Sequence, residues 1–202
     1  MHTLEQAAPA FVAMAHRIVW CTVGTVTPDG RPATRILHPI WEWTGTTLTG
    51  WIATSPRSPK AADLAANPQV SVTYWDPSHD TCTADCETTW EDTPEERQAG
   101  WDRFKHGPAP VGYDPAIIPQ WTDPQNPDFG VLRLTPRRLR VMPGTLMLAG
   151  QGAKIAEVIR DRRSRQSHRD DAARPLRLQK PAAPRDHRER RGERQIAHQA
   201  GA

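Results

Sequence analysis

The sequence predicts a mainly β protein with short helices, an α+β fold organised around a six-stranded antiparallel barrel. Three observations support this class. Apolar, β-branched or alternating runs recur along the first 150 residues, turn signals rich in Pro, Gly, Asp and Thr separate them, and the intervening helices are short and capped. With 202 residues and 37% hydrophobic content, the chain can bury one ordinary core.

A hairpin and a third strand open the predicted barrel. RIVWCTVGTVT, residues 17–27, is apolar and β-branched, and the turn signal PDG at 28–30 separates it from the returning strand at 31–43. TGTT at 44–47 makes the next turn, and LTGWIAT at 48–54 forms the third strand. In such a meander the second and third strands are neighbours.

A short helix and a fourth strand come next. SPKAADLAANP, residues 58–68, begins with Ser58 as N-cap and Pro59 at the first helical position, and it ends at the Asn-Pro pair 67–68. QVSVTYW, residues 69–75, alternates as a half-buried strand should.

Residues 76–127 interrupt the β pattern with many Pro, Asp and Trp residues, and we expect them to form an insertion. One helix stands out within it, with Thr93 as N-cap and Glu96 closing a capping box. Trp101 and Phe104 would lie on one side of this helix, which predicts that they pack the insertion onto the barrel.

Two further segments complete the predicted barrel. The strand pattern resumes in DFGVLRLTPRRLRVMPG at 128–144 and ends with TLMLAG at 145–150. We therefore expect a domain at 1–153, followed by a basic tail at 154–202. The tail carries 14 Lys+Arg and 7 Asp+Glu, net +7, whereas the domain has a net charge of −4.

The tail has few large apolar residues and no aromatic residue, so it cannot bury enough surface to offset the entropy lost on ordering. We expect it to be largely disordered beyond about residue 160, with a short helix over AKIAEVIRDRR considered before that point. Arg-rich segments bind nucleic acid or other acidic partners, but the tail's acidic residues and its lack of aromatic side chains that stack on bases argue against nucleic acid. A shifted reading frame without selected function is the alternative we favour for the tail.

Composition also favours a soluble, cytoplasmic protein. No run of about 18 apolar residues is present, and the N-terminal MHTLEQAAPAFVAMAHRI lacks the basic-then-apolar order of a secretory signal. Three cysteines, an odd number, suit a reducing compartment better than a disulfide framework.

The turn SPRSPK before the first predicted helix has the composition of a phosphate site. The N-terminus of a helix presents unpaired N–H groups and a partial positive charge, both of which attract anions. A solvated turn in which Ser58 is only an N-cap is the alternative. The candidate phosphate ligands are Thr54, Ser55, Arg57, Ser58 and Lys60, together with Arg35 from the neighbouring strand.

A second group of potential ligands lies in HDTCTADC at 79–86, which offers His79, Cys82 and Cys86. Zinc sites built from cysteine usually combine one closely spaced pair with a second pair elsewhere, and the remaining thiol, Cys21, lies on a predicted core strand. We therefore predict no metal site.

The segments from the first strand to the fourth resemble the FMN-binding split barrel of the pyridoxamine 5'-phosphate oxidase-like superfamily. In that family an Arg on the second strand and a Thr-x-x-x-Ser-x-Lys segment bind the flavin phosphate. A helix ending in Asn-Pro and a strand ending in an aromatic pair follow. The resemblance covers residues 10–76 well and 128–150 loosely. The matching positions are Arg35, Thr54, Ser58, Lys60, Asn67, Pro68, Tyr74 and Trp75, with Ile36 and Leu37 on the strand whose backbone faces the flavin ring.

The resemblance implies FMN as cofactor, with a deazaflavin as the alternative, and a flavin-dependent oxidoreductase that acts on a small molecule. It also implies a homodimer with the flavin in the cleft between subunits. His38, Trp41, Trp51 and Trp121 are candidates for the wall of that cleft, although ordinary packing would explain each of them, and no side chain is assigned a catalytic role.

Two departures from the family pattern argue against pyridoxamine phosphate as the substrate. The oxidases have a lysine after the arginine strand motif, where this chain has HPI at 38–40, and their basic C-terminal substrate-binding segment has no counterpart. The chain is more similar to actinobacterial split-barrel proteins that use FMN or a deazaflavin. A non-catalytic flavin or haem binding protein on the same barrel stays open, because its phosphate site would look the same.

Overall fold

The computed structural model describes residues 2–152 and 156–159, and these belong to one compact unit, Met1–Arg162. The helices are α1 (Leu4–Ile18), α2 (Lys60–Ala66), α3 (Pro94–Lys105) and α4 (Gly144–Leu148), with a 3₁₀ turn at Pro115–Ile117. The strands are β1 (Cys21–Val26), β2 (Pro32–Leu37), β3 (Ile40–Trp43), β4 (Leu48–Ala53), β5 (Gln69–Trp75), β6 (Thr81–Glu91), β7 (Val131–Met142) and β8 (Ala156–Ile159).

The strands form one antiparallel sheet in the order β2-β1-β5-β6-β7-β4-β3, with β8 paired to β7 outside this path. An antiparallel sheet with short helices confirms the predicted α+β class. The described residues contain eight strands rather than six. One reason is that the predicted strand at 31–43 divides at His38 and Pro39 into β2 and β3, since proline has no N–H for a ladder hydrogen bond. The two halves then lie at opposite ends of the hydrogen-bonded strand order.

Strand β6 was not predicted, because it lies inside the segment 76–127 where no strand pattern was recognised. It is the partner of β5 on one side and of β7 on the other, with a register shift between Asp85 and Cys86. Its buried side chains are small or polar, so the period of two carries little hydrophobic contrast. They are Cys82, Ala84, Cys86 and Thr88.

Both ends of the predicted barrel were assigned wrongly. Arg17 and Ile18, predicted as the start of the first strand, are the last residues of α1, which buries Phe11 among other side chains in the main core. The segment TLMLAG is not a strand, because Gly144–Leu148 forms α4. Gly144 fits there because a Cβ at this position would lie 1.9 Å from the carbonyl oxygen of Ser78.

The helix predicted inside the insertion is confirmed at its start. The Thr93 hydroxyl accepts from the Glu96 N–H at 3.2 Å, and the Glu96 carboxylate accepts from the Thr93 N–H at 3.1 Å. Trp101 and Phe104 are buried, as predicted, in a second apolar cluster next to β4 and β7 that also contains Phe129. The same cluster contains Ile40, Ala53 and Val131 from β3, β4 and β7, so it packs the insertion onto the sheet.

Four residues of the predicted tail, Ala156–Ile159, form strand β8, where a short helix had been considered. Glu157 on this strand accepts hydrogen bonds from Arg138 at 2.6 Å and from Arg140 at 3.0 Å. The predictions for the tail from residue 160 onward lie outside the described residues. None of the helices in the described ranges is long and apolar enough to span a membrane.

Candidate functional site

The turn between β4 and α2 is held closed by its own hydrogen bonds. The Ser55 carbonyl accepts from the Ser58 hydroxyl at 2.7 Å and from the Ser58 N–H at 3.3 Å, and the Thr54 N–H donates to Gly130 O at 2.9 Å. Helix α2 begins at Lys60, with Pro59 in the cap position and no side-chain cap. The prediction that Ser58 is the N-cap is therefore wrong, because its hydroxyl closes the preceding turn instead.

Lys60 is a buried cation. Only 8% of the residue is exposed, and its ammonium group donates to Ser58 Oγ at 2.5 Å. Across residues 2–152 and 156–159, no carboxylate lies within ion-pair distance of Lys60. Burial lowers the pKa of Lys60, and the positive charge of Arg35 lowers it further. The site therefore contains a desolvated positive charge without a compensating negative charge.

Arg35 reaches the same site by a route that differs from the predicted one. Because β2 and β4 are not neighbours, Arg35 approaches through β1 and α2. Its guanidinium donates to Thr25 Oγ1 at 2.7 Å and to Asp63 Oδ2 on α2 at 3.3 Å, and Thr25 donates to the same carboxylate at 2.6 Å. The network fixes the guanidinium beside Lys60 and pairs it with one carboxylate.

The other predicted phosphate ligands are arranged differently. Arg57 is exposed and lies 3.4 Å from Asp128, so its charge is paired at the surface. Ser55 Oγ accepts from the Arg57 N–H at 3.2 Å, and Thr54 is buried. The structure thus brings Arg35, Ser58 and Lys60 together and leaves Arg57 at the surface.

Ile36 and Leu37, the two residues predicted to lie along the flavin ring, differ in their exposure. Ile36 is 60% exposed, whereas Leu37 packs against the main core. Along the aromatic pair that ends β5, Tyr74 is fully buried and accepts a hydrogen bond from Trp41 Nε1 at 2.8 Å. Trp75 is 58% exposed, so only the second member of the pair is accessible to a ligand or partner.

An exposed apolar surface lies on the sheet around these residues. Ile36 on β2 pairs with Thr22 on β1, and Thr22 pairs with Thr73 on β5, so these residues share one face. Alternation along β5 puts Trp75 on this face, and Trp20 immediately precedes β1. Trp20 and Ile36 are each 60% exposed. We call Trp20, Ile36 and Trp75 the apolar face.

The four candidates for the cleft wall have different environments. Trp41 is buried in the main core and Trp121 in the second apolar cluster, so ordinary packing explains both. The guanidinium carbon of Arg103 lies over the Trp51 ring, 3.7 Å from the ring centroid. The His38 ring contacts the rings of Trp20 and Tyr113, and both centroids are 5.2 Å from its own. Trp20 and Tyr113 were not singled out from the sequence, because only the fold brings them close to His38.

Cys82 and Cys86 lie in the main core, and burial raises the pKa of both thiols. In the ranges that the structure describes, no group of three His, Cys, Asp or Glu side chains could hold a metal ion.

A separate cavity of about 370 Å³ lies between α1, β3 and α3. His16, Trp41, Glu42, Arg103 and His106 are among its lining residues, and none of the predicted phosphate ligands is. His16 Nε2 is already occupied, since it accepts from the Trp41 N–H at 2.9 Å.

The sequence model of the pyridoxamine 5'-phosphate oxidase family matches residues 7–143. The chain belongs to this family. The match spans every described strand except β8, and it includes Arg35 and the turn up to Lys60. Among curated proteins, no sequence matches this chain.

Solved structures show the same fold at low sequence identity. A Clostridium acetobutylicum protein related to general stress protein 26 has a TM-score of 0.56 at 12% identity, covering 77% of this chain and 94% of its own. A pyridoxamine 5'-phosphate oxidase-related, FMN binding protein of Nostoc punctiforme has a TM-score of 0.53 at 21% identity, with 78% and 89% covered. A heme binding protein of Mycobacterium smegmatis has a TM-score of 0.53 at 16% identity, with 79% and 59% covered. At these identities the likeness concerns the fold alone.

Proposed function

We propose that this member of the pyridoxamine 5'-phosphate oxidase family is a flavin-dependent oxidoreductase that binds FMN and acts on a small molecule. The observation that carries the proposal is the uncompensated charge of Lys60 beside Arg35. A buried cation without a negative partner is costly, and a phosphate group supplies both the missing charge and acceptors for its N–H groups.

The residues of the site fit a phosphate group in three ways. Lys60 offers its ammonium as a point charge, and Arg35 has further N–H donors besides those used by Thr25 and Asp63. The Ser58 hydroxyl donates its hydrogen to Ser55 O and accepts from the Lys60 ammonium at 2.5 Å, so it positions the lysine rather than contacting the phosphate. A deazaflavin whose side chain carries a phosphoryl group would use the same contacts, so it is the alternative cofactor.

The flavin, when bound, supplies the hydride and electron transfer chemistry. The chain supplies the position of the cofactor, the charges around it and the exclusion of water. Arg35 and Lys60 anchor the phosphate, and Ile36, which is 60% exposed, lies next along β2, where the family resemblance puts the ring.

A homodimer belongs to the same proposal. Trp20, Ile36 and Trp75, the apolar face, are exposed together on one side of the sheet, and exposed apolar patches mark interaction surfaces in soluble domains. A second copy of the chain would cover this face and enclose the ring against β2. Sedimentation of the FMN complex at micromolar concentration is the test, and a monomer with FMN bound would contradict the dimer.

The test of the cofactor proposal is a fluorescence titration with FMN and with riboflavin, which lacks the phosphate. The variants are Lys60→Met and the matched control Lys105→Met, whose lysine is exposed and pairs with Asp114 at 3.7 Å. Loss of one charged contact should weaken FMN binding by roughly ten- to a hundredfold, whereas the control should bind as the parent does.

Riboflavin should bind the parent weakly and respond little to Lys60→Met. Equal affinities of the parent for FMN and riboflavin would refute the phosphate site. Reduction of the bound FMN by a nicotinamide donor then separates an oxidoreductase from a non-catalytic flavin carrier, which would bind FMN and leave it oxidised.

A further inference from the structure

The cavity of about 370 Å³ between α1, β3 and α3 has no part in the proposed cofactor site. Its lining includes His16 from α1, Glu42 from β3, and Asp102 and Arg103 from α3, and none of the residues that would hold the phosphate. The volume lies within the range of roughly 300–1,000 Å³ that is usual for small-molecule sites. The cavity can therefore hold a small molecule, and the unused polar groups of its walls indicate which kind.

Arg103 uses only part of its guanidinium group within the protein. The group lies over the Trp51 ring at 3.7 Å from the centroid, and its Nε donates to Glu42 at 2.9 Å. Neither Nη atom has a hydrogen-bond partner among the described residues, and neither is shielded from solvent. A guanidinium fixed in this way offers planar N–H donors that match the two oxygens of a carboxylate.

His16 adds a further donor whose tautomer follows from a hydrogen bond. The Trp41 N–H donates to His16 Nε2 at 2.9 Å, so Nε2 is the acceptor and the neutral ring carries its hydrogen on Nδ1. Burial lowers the pKa of His16, which favours the neutral form. Within the described part of the chain Nδ1 has no hydrogen-bond partner, and it is not shielded from solvent. Its N–H is therefore available to a ligand.

Asp102 brings a negative charge without a counter-ion to the same cavity. The residue is half-buried, and its Oδ2 accepts from Gln98 Nε2 at 3.1 Å. In the ranges 2–152 and 156–159, no cation lies within ion-pair distance of Asp102, whereas Glu42 is paired with Arg103. The walls therefore combine unused N–H donors with one unpaired carboxylate.

We propose that this cavity binds a small zwitterion of the amino-acid type. Arg103 and His16 donate to its carboxylate, and Asp102 accepts from its ammonium group. A simple acid would meet the Asp102 charge without compensation, and a simple amine would leave the Arg103 donors unused, so the zwitterion is the ligand that satisfies both. The site needs no flavin, and it is a binding site to which we assign no reaction.

The first test screens the cofactor-free, full-length protein with the common L-amino acids, each added alone, by saturation-transfer NMR. Calorimetry then compares the tightest binder with two matched analogues, the acid that lacks the ammonium group and the amine that lacks the carboxylate. For L-leucine these are isocaproate and isoamylamine. We expect a Kd of about 1 mM or tighter for the amino acid, and binding of each analogue at least about tenfold weaker.

Two variants assign the two ends of the ligand. Asp102→Asn removes a charge and keeps the shape, so the amino acid should lose its advantage over the acid. Arg103→Gln removes the guanidinium donors, so the amino acid should lose its advantage over the amine. The matched control is Glu95→Gln, an exposed carboxylate on the same helix that does not line the cavity, and its affinity should stay within about twofold of the parent's.

The outcomes are independent of the cofactor proposal, which Lys60→Met tests. If no amino acid binds at about 1 mM, or if the best one binds no more tightly than its two analogues, the inference is overturned. An unchanged preference for the amino acid over the acid in Asp102→Asn would overturn it as well. Melting curves check that each variant is folded. If Arg103→Gln, which also loses the Glu42 pair, does not fold, Asp102→Asn decides the matter.

Discussion

The region around α2 and the insertion around α3 are stabilised in opposite ways. Beside α3, Trp101, Phe104 and Phe129 form an apolar cluster in which Trp101 and Phe129 meet edge to face with centroids 5.0 Å apart. Beside α2, the buried groups are charged: the Asp63 carboxylate pairs with Arg35, and Lys60 has no carboxylate of the described residues within ion-pair distance. An apolar cluster needs no further partner, whereas an excess of buried positive charge is stabilised by an anionic ligand. The contrast therefore separates the structural part of the molecule from the part that we expect to bind the cofactor.

The largest expected effect lies in the apolar region. Phe104 is fully buried, so Phe104→Ala should lower the free energy of unfolding by about 3–5 kcal/mol, because it leaves a cavity as well as removing apolar contacts. Urea denaturation measures this loss. At a temperature where the variant is still folded, its FMN affinity should match that of the parent, and a large loss of affinity would mean that the two regions are coupled.

An intermediate effect is expected from Arg35→Ala, with Arg31→Ala as the control on the same hairpin. Removal of the Arg35 guanidinium leaves the buried Asp63 carboxylate with Thr25 alone, which should cost about 3 kcal/mol of unfolding free energy. Arg31 is exposed and, within the described part of the chain, forms an ion pair with Asp29 alone, so its loss should change stability by less than about 0.5 kcal/mol. Arg35→Ala should also weaken FMN binding. Equal stabilities of the two variants would show that the Arg35–Asp63 pair is not structural.

The smallest expected effect has the opposite sign. Lys60→Met replaces a buried, uncompensated charge by an apolar side chain of similar length, so the cofactor-free protein should gain about 1 kcal/mol of stability while losing FMN affinity. Denaturation of the cofactor-free protein and FMN titration measure the two changes. A loss of stability in the cofactor-free variant would contradict the prediction and show that the Lys60 charge stabilises the fold.

The same substitution has a pH signature. The pKa of Lys60 is lower in the folded protein than its ordinary value of 10.5, so in the alkaline range below 10.5 the unfolded chain holds a proton that the folded protein has lost. The stability of the parent should therefore rise relative to Lys60→Met as the pH increases through that range. Denaturation of both proteins at several alkaline pH values isolates this term, since the buried thiols titrate in both.

Elements whose signals are local could be predicted from the sequence. The capping box of α3 needs only Thr93 and Glu96 at a fixed spacing, and α2 ends at Asn67 before Pro68 as predicted. Strands with large alternating side chains, such as β5, were also predicted within their limits. Strand β6 was missed because its buried residues are small, and its place is set by pairing with β5 and β7 rather than by its own composition.

The sequence by itself determined the α+β class, the residue types of the turn that precedes α2, and the resemblance to the family to which the chain belongs. Local spacing is sufficient for these, since caps, turns and motif residues act within a few positions of one another. Only the tertiary structure decided that Arg35 meets α2 through β1 and that Asp63 pairs with it. It also decided that Lys60 is buried with no carboxylate of the described residues in ion-pair range. It also decided that the rings of Trp20 and Tyr113 pack beside His38. The physical reason is that burial and charge balance depend on which distant segments pack together, and strand order, which local patterns do not encode, sets that packing.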